Sequence, residues 1–439
     1  MSLLIAFSVF TISMVLAVVK GFSMVWALAV GLIAFLGAGK SKGFAFKEML
    51  TEGAKSIGNS LVVIEVMLII GFITAAWRVS GTIIVFVYYG TKLILPPLFL
   101  LISFGLSCLL SYALGTSFGV AGTAGVIFMT LARSGGVDPV ITAGVIMSGI
   151  FFGDRCSPVS SSANMVAGIT NTKIFDNVKL MMKTAILPLA LTTLIYVFLS
   201  ITHPISHVDT GLISKLEETF NLSLWAFLPA IFMLVLPLLK VGVIKAMAAS
   251  IVSGVLVAWL VQGVPLLEVL KICVLGYTSP NNDIGAILNG GGLISMIEIA
   301  IILIISSAYS GIFACTHILD ELQGKITNWA YIIGRFPVML LMSLASSAVL
   351  CNQTIATLIC NDLMESTYLD HGGNREELAI DMENSVILIA CTLPWCIGCS
   401  VPLAFMGADM SSMPYAAYMY LVPICYLITK KKFKFNGGF

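Results

Sequence analysis

The chain sets long apolar runs between short polar breaks, and it does so in two matching series. Residues 3–19 and 22–38 open the first series, and 223–239 and 241–262 open the second. A shorter amphipathic segment follows in each, Lys47–Ser56 and Pro265–Cys273. Next comes a Gly-marked apolar helix with a central glutamate, Gly58 to Glu65 in one series and Gly291 to Glu298 in the other. Long spans at 93–113 and 327–350 run into breaks, Gly115-Thr116-Ser117-Phe118-Gly119 and Cys351-Asn352-Gln353-Thr354. A second break sets Gly153-Asp154-Arg155-Cys156-Ser157-Pro158 against Met382-Glu383-Asn384-Ser385. Spans at 178–200 and 414–429 close the two series.

Crossing a bilayer takes about 20 mostly apolar residues per helix, because every backbone group must be bonded internally. The pattern therefore predicts an all-α polytopic membrane protein with about ten crossings. Matched halves with helices interrupted at corresponding places predict two repeats, 1–205 and 223–439, joined by a polar linker at 206–222. The breaks read as broken helices or re-entrant hairpins. The first run lacks a basic leader, and a second apolar run follows Lys20 at once, so it reads as a retained span.

Composition agrees. Hydrophobic residues are 59% of the 439, charged residues 10%, and the mean hydropathy of +1.03 excludes an ordinary soluble globule. A net charge of +1 leaves no basic face for nucleic acid. The ten cysteines are scattered through apolar segments and read as small hydrophobes. Cys396-Ile-Gly-Cys399 has redox spacing but lacks the βαβ context that such a motif needs. His203 and His207 are separated by Pro204 and an open loop, which argues against a metal site. Asn289-Gly-Gly-Gly292 has no following Lys-Ser/Thr, so no nucleotide site is expected.

Lysine and arginine bias sets orientation. The tail Lys430-Lys431-Lys432-Phe433-Lys434, together with Lys40, Lys42, Lys47, Lys240 and Lys245, falls on one side if both termini are cytoplasmic and each half crosses an odd number of times. Odd crossings make the repeats inverted and put the linker outside.

The chemistry is expected where charge and broken backbone meet. A charge at bilayer depth costs at least ~2.5–3.5 kcal/mol, so it faces a cavity or a partner. Four acids qualify as ion-coupling residues: Asp154, Glu383, Glu65 and Glu298. For Asp154 two arrangements fit: a neutralised pair with Arg155, or a carboxylate left to bind a cation while Arg155 points elsewhere. Glu65 and Glu298 fit either a protonatable site or a neutral tie between helices. Around the breaks, Thr116, Ser117, Ser157, Ser160, Asn352, Gln353, Thr354, Asn384 and Ser385 offer oxygens for a substrate, or small-residue helix packing. No nucleophile–histidine–acid set is visible, so an enzyme is not expected.

At these residues the chain resembles the NhaC-type sodium/proton antiporter family, within the wider ion-transporter superfamily. Gly115-Thr-Ser-Phe-Gly119 is similar to that family's Gly-Thr-Ser-aromatic-Gly element. Gly153-Asp-Arg-Cys-Ser-Pro-Val-Ser160 resembles its Gly-Asp-basic-x-Ser-Pro-x-Ser signature, the most specific match. Glu383-Asn-Ser385 followed by Leu393-Pro-Trp395 fits its Glu-x-Ser…Pro-Trp pattern, and the likeness covers nearly the full length. It departs in having Val386-Ile387 for the usual Gly-Thr, and Cys396 for Asn. The resemblance implies an inverted-repeat carrier of the inner or plasma membrane that exchanges sodium for protons by alternating access. Asp154, Thr116, Ser157 and Asn352 become the sodium candidates, and Na+ and H+ are the coupled ions with no cofactor. It also leaves a coupled carrier of a small organic acid or amino acid as the alternative. Homodimers are common among such carriers.

Overall fold

The computed structural model describes residues 2–20, 22–93, 96–204, 218–239, 241–279, 285, 288–316, 323–370 and 372–435. Most of the expected linker, including His207, lies outside the described residues. Among them the architecture is all helical, with one isolated bridge between Tyr277 and Gly290. The chain is a multi-pass membrane protein. Among the described residues, four helical segments are long and apolar enough to cross a bilayer: Met24–Ser41, Pro139–Ile169, Ile174–Thr202 and Leu293–Phe313. A fifth span forms if the bent pair Arg375–Thr392 and Ile397–Phe405 counts as one. Six further apolar helices run 10–17 residues, including Phe99–Leu114 and Arg335–Leu350. Ser2–Lys20, Phe46–Val79 and Val243–Leu260 are further unbroken helices of 19, 34 and 18 residues.

Outer helix faces carry bare Ile33, Ile186, Leu194 and Phe198, side chains that lipid accepts and water would not. Helix Pro139–Cys156 is the opposite case. It is buried on every side from Ile141 to Cys156, as an all-round apolar helix at the centre of a bundle must be. Asp138 starts it by accepting from the Val140 amide at 2.8 Å, with proline at the first helical position, where no amide hydrogen is needed. Phe99–Leu114 runs beside it at very close range. A Cβ at Gly153 would lie 2.3 Å from the Ser111 carbonyl carbon, so only glycine lets the two backbones meet there. Away from this core, Phe7, Phe10, Phe35, Tyr309 and Phe313 pack edge to face and clamp the first two helices onto Ile297–Thr316.

One spacing recurs. Helices begin at 99 and 335, at 139 and 375, and at 161 and 397, each 236 residues apart. At this spacing Asp154 falls opposite Ala390, and Glu383 opposite Met147. The break at Gly153–Pro158 therefore does not correspond to Met382–Ser385, as the polar composition suggested. Helix Pro139–Cys156 runs unbroken through the level at which Arg375–Glu383 stops. At the same spacing Leu393–Cys396 falls opposite Ser157–Ser160.

Candidate ion site

Two helices stop in the same unusual way. Phe99–Leu114 ends on Gly115 at φ 65°, and Arg335–Leu350 ends on Cys351 at φ 56°. Both are left-handed caps, a conformation that glycine adopts freely and cysteine only against steric cost. An extended residue then restarts each helix. The Thr116 hydroxyl accepts from the Gly119 amide at 3.2 Å, and Asn352 Oδ1 accepts from Thr354 and Ile355 at 2.9 and 3.4 Å. Side-chain oxygens thus satisfy backbone amides that lipid could not.

Each tip meets the second break of its own half. A Cβ on Gly115 would sit 2.6 Å from the Val159 carbonyl, and the Ser157 hydroxyl donates to the Tyr112 carbonyl at 2.6 Å. In the other half the Ile397 amide donates to the Cys351 carbonyl at 2.9 Å, and Trp395 Nε1 to the Ala348 carbonyl at 2.8 Å. Non-helical backbone is thereby enclosed in protein on both sides.

Asp154 lies at the end of the central helix, 4% exposed. Ser160 donates to its Oδ1 at 3.1 Å, and Ser162 donates to its backbone carbonyl at 3.1 Å. Gln353 of the second half comes close to Asp154 and donates to the Ile387 carbonyl at 2.7 Å.

Arg155 is fully buried and turns away from Asp154. Its Nε donates to the Glu383 carbonyl at 3.1 Å. Nη1 reaches Tyr418 at 3.1 Å and the Cys156 sulfur at 3.3 Å. Nη2 reaches Asn384 Oδ1 and Thr184 Oγ1 at 2.6 Å each, and the Met181 carbonyl at 3.3 Å. All its acceptors are neutral, so the guanidinium keeps its full charge inside the bundle. The neutralised Asp154–Arg155 pair is excluded.

The helix Arg375–Glu383 stops because Ser385 takes φ −128°, ψ −89°, which frees the carbonyl of Glu383. Arg155 occupies that carbonyl. The Glu383 side chain is 0% exposed, and neither carboxylate oxygen has a hydrogen-bond partner among the described residues. It sits close enough to feel the charges of both Arg155 and Asp154. A buried carboxyl with no donor is costly, and it calls for a proton or a cation.

The remaining expected residues divide. Asn384 binds Arg155 and the Ile380 carbonyl, and Ser385 donates to the Asp381 carbonyl at 2.6 Å. Thr116, Ser157 and Asn352 are engaged in the local bonds described above, Ser117 is buried beside Thr116, and Thr354 is exposed. Asp154 is therefore grouped with Ser160, Ser162 and Gln353 rather than with the expected Thr116, Ser157 and Asn352. Glu65 and Glu298 are exposed on outer faces, and Glu298 accepts from Ser23 at 2.5 Å. Neither joins Asp154 or Glu383, because the helix face that carries each points out of the bundle. Sequence reasoning missed Thr184 and Tyr418 as holders of Arg155, and no local signal marks either. It also missed a second buried network in which Tyr368, Tyr426 and Lys430 all bond Asp381.

Residues 149–430 match the profile of the Na+/H+ antiporter family. The Na+/H+ antiporter NhaC of Bacillus subtilis is 27% identical over 87% of this chain and 86% of its own length. The NhaC antiporter of Alkalihalophilus pseudofirmus is 25% identical, covering 82% and 79%. The malate-2H+/Na+-lactate antiporter of Bacillus subtilis is 22% identical over 92% and 89%.

Proposed function

The chain belongs to the Na+/H+ antiporter family, and on that premise we propose that it exchanges sodium for protons by alternating access. Asp154 and Glu383 are the coupling carboxylates, with Ser160, Ser162 and Gln353 supplying neutral oxygens around Asp154. The observation that carries this reading is the enclosed trio of Asp154, Glu383 and Arg155. With both acids ionised its charge is −1, so one monovalent cation or one proton brings it to neutrality. In a low-dielectric interior the neutral states dominate. Sodium and proton then exclude one another, which is the condition for exchange.

The two halves, 1–205 and 223–439, act in this reading as inverted repeats about the linker, in a cell membrane with both termini cytoplasmic. The recurrence of helix starts at one spacing supports the duplication. A carrier of organic anions is the weaker reading, because Arg155 is held by protein acceptors and presents no donor to a carboxylate substrate. The test is a proteoliposome assay in which a sodium gradient drives proton movement. A panel of carboxylic acids serves as the rival substrate. Acid-dependent, sodium-independent flux rejects the proposal.

A further inference from the structure

A cavity of ≈ 760 Å³ lies under the C-terminal tail, and neither Asp154 nor Glu383 lines it. Its walls bring together Arg335, Lys430 and Lys431 with Phe336, Phe433 and Phe435. We propose that this cavity binds the phosphate headgroup of an anionic phospholipid.

Charge is the first argument. The lining holds three cations against one acid, Glu377. That acid is already spanned, by Arg335 at 3.0 Å and Lys430 at 2.8 Å, while Lys430 also reaches Asp381. Lys431 has no carboxylate partner among the described residues, and Lys432 and Lys434 continue the same short tail. Juxtamembrane lysines of this density attract anionic headgroups. The tail is also held in place. Asn374 donates to the Phe435 carbonyl at 3.3 Å, and the Phe433 ring packs 5.9 Å from that of Tyr426. The backbone that carries these lysines is therefore held at the cavity.

The second argument separates a lipid from a soluble phosphate. Tyr331 and Ile333 form part of the wall, and Ile332 beside them is 79% exposed. Ile428, next to the lining residue Leu427, is 75% exposed. An acyl chain covers these faces, whereas a free phosphate gains nothing from them.

The test compares thermal unfolding of the purified full chain in detergent with phosphatidylglycerol, phosphatidylcholine or inorganic phosphate added. Phosphatidylglycerol is expected to raise Tm most and inorganic phosphate not at all. Lys431→Gln with Lys432→Gln should weaken the lipid effect by about fivefold per lysine. Lys173→Gln with Lys183→Gln makes the same charge change elsewhere and should leave it intact. Both double variants are exposed substitutions, so a normal Tm without lipid certifies their fold. Equal effects of the two lipids, equal loss in both double variants, or a full effect from inorganic phosphate alone would each overturn the proposal.

Discussion

Arg155 donates to the backbone carbonyl of Glu383 and not to the carboxylate of Asp154, its neighbour in the chain. That choice decides what each group can do. The guanidinium seals the freed carbonyl of a broken helix, and under the proposed exchange the two acids beside it are left to trade a cation for a proton.

Asp154→Asn is expected to abolish sodium-driven proton movement in proteoliposomes while unfolding near the wild-type temperature. The amide keeps its hydrogen bond to Ser160 but cannot change charge. Wild-type exchange in that variant rejects Asp154 as a coupling residue.

Glu383→Gln should also stop exchange, yet leave stability unchanged or raised. It removes a buried carboxyl whose oxygens have no donor, a group that costs the fold rather than supporting it. A clear fall in Tm on this substitution would show that Glu383 is held by partners.

Arg155→Leu should behave differently and destabilise by about 3 kcal/mol or more, since several buried acceptors lose their donor together. Arg155→Lys is expected to recover only part of this, because one ammonium cannot span acceptors on three helices. Chemical denaturation in detergent reads both effects.

The two left-handed caps give an asymmetric pair. Gly115→Ala puts a Cβ 2.6 Å from the Val159 carbonyl at φ 65° and should cripple folding. Cys351→Gly relieves a non-glycine residue at φ 56° and should stabilise by up to ~1 kcal/mol. Matched thermal melts of the two variants check the sign of each.

Glu65→Gln and Glu298→Gln should leave the exchange rate within about twofold of wild type, and stability within ~0.5 kcal/mol, as for other exposed surface positions. Loss of sodium-driven flux in either would return that glutamate to the ion pathway.

Much of this was legible from the sequence. Apolar runs announced the helices, and the polar breaks at Gly115 and Gly153–Ser160 fell where the backbone departs from helix. Asp154 and Glu383 stood out as charges in apolar surroundings, and they do lie together. What sequence could not supply was direction. Whether Arg155 meets Asp154 or Glu383 depends on a helix more than 200 residues away. Glu65 and Glu298 sit in apolar helices while Glu383 ends an acidic one, and only packing shows which of them is turned inward. Polar composition and helix spacing also pair the halves differently. Cys351 occupies the position of Gly115, and nothing about a cysteine advertises a left-handed cap.

The helix Ile174–Thr202 has 29 residues and measures about 44 Å along its axis. Bilayer hydrocarbon is only about 30 Å thick. Its first turns carry Asp176, Lys179 and Lys183 and reach past the hydrocarbon, while the apolar part from Thr184 to Thr202, about 28 Å long, matches it. Because Thr184 and Met181 on this same helix grip Arg155, the end of that apolar stretch is tied straight to the centre of the bundle.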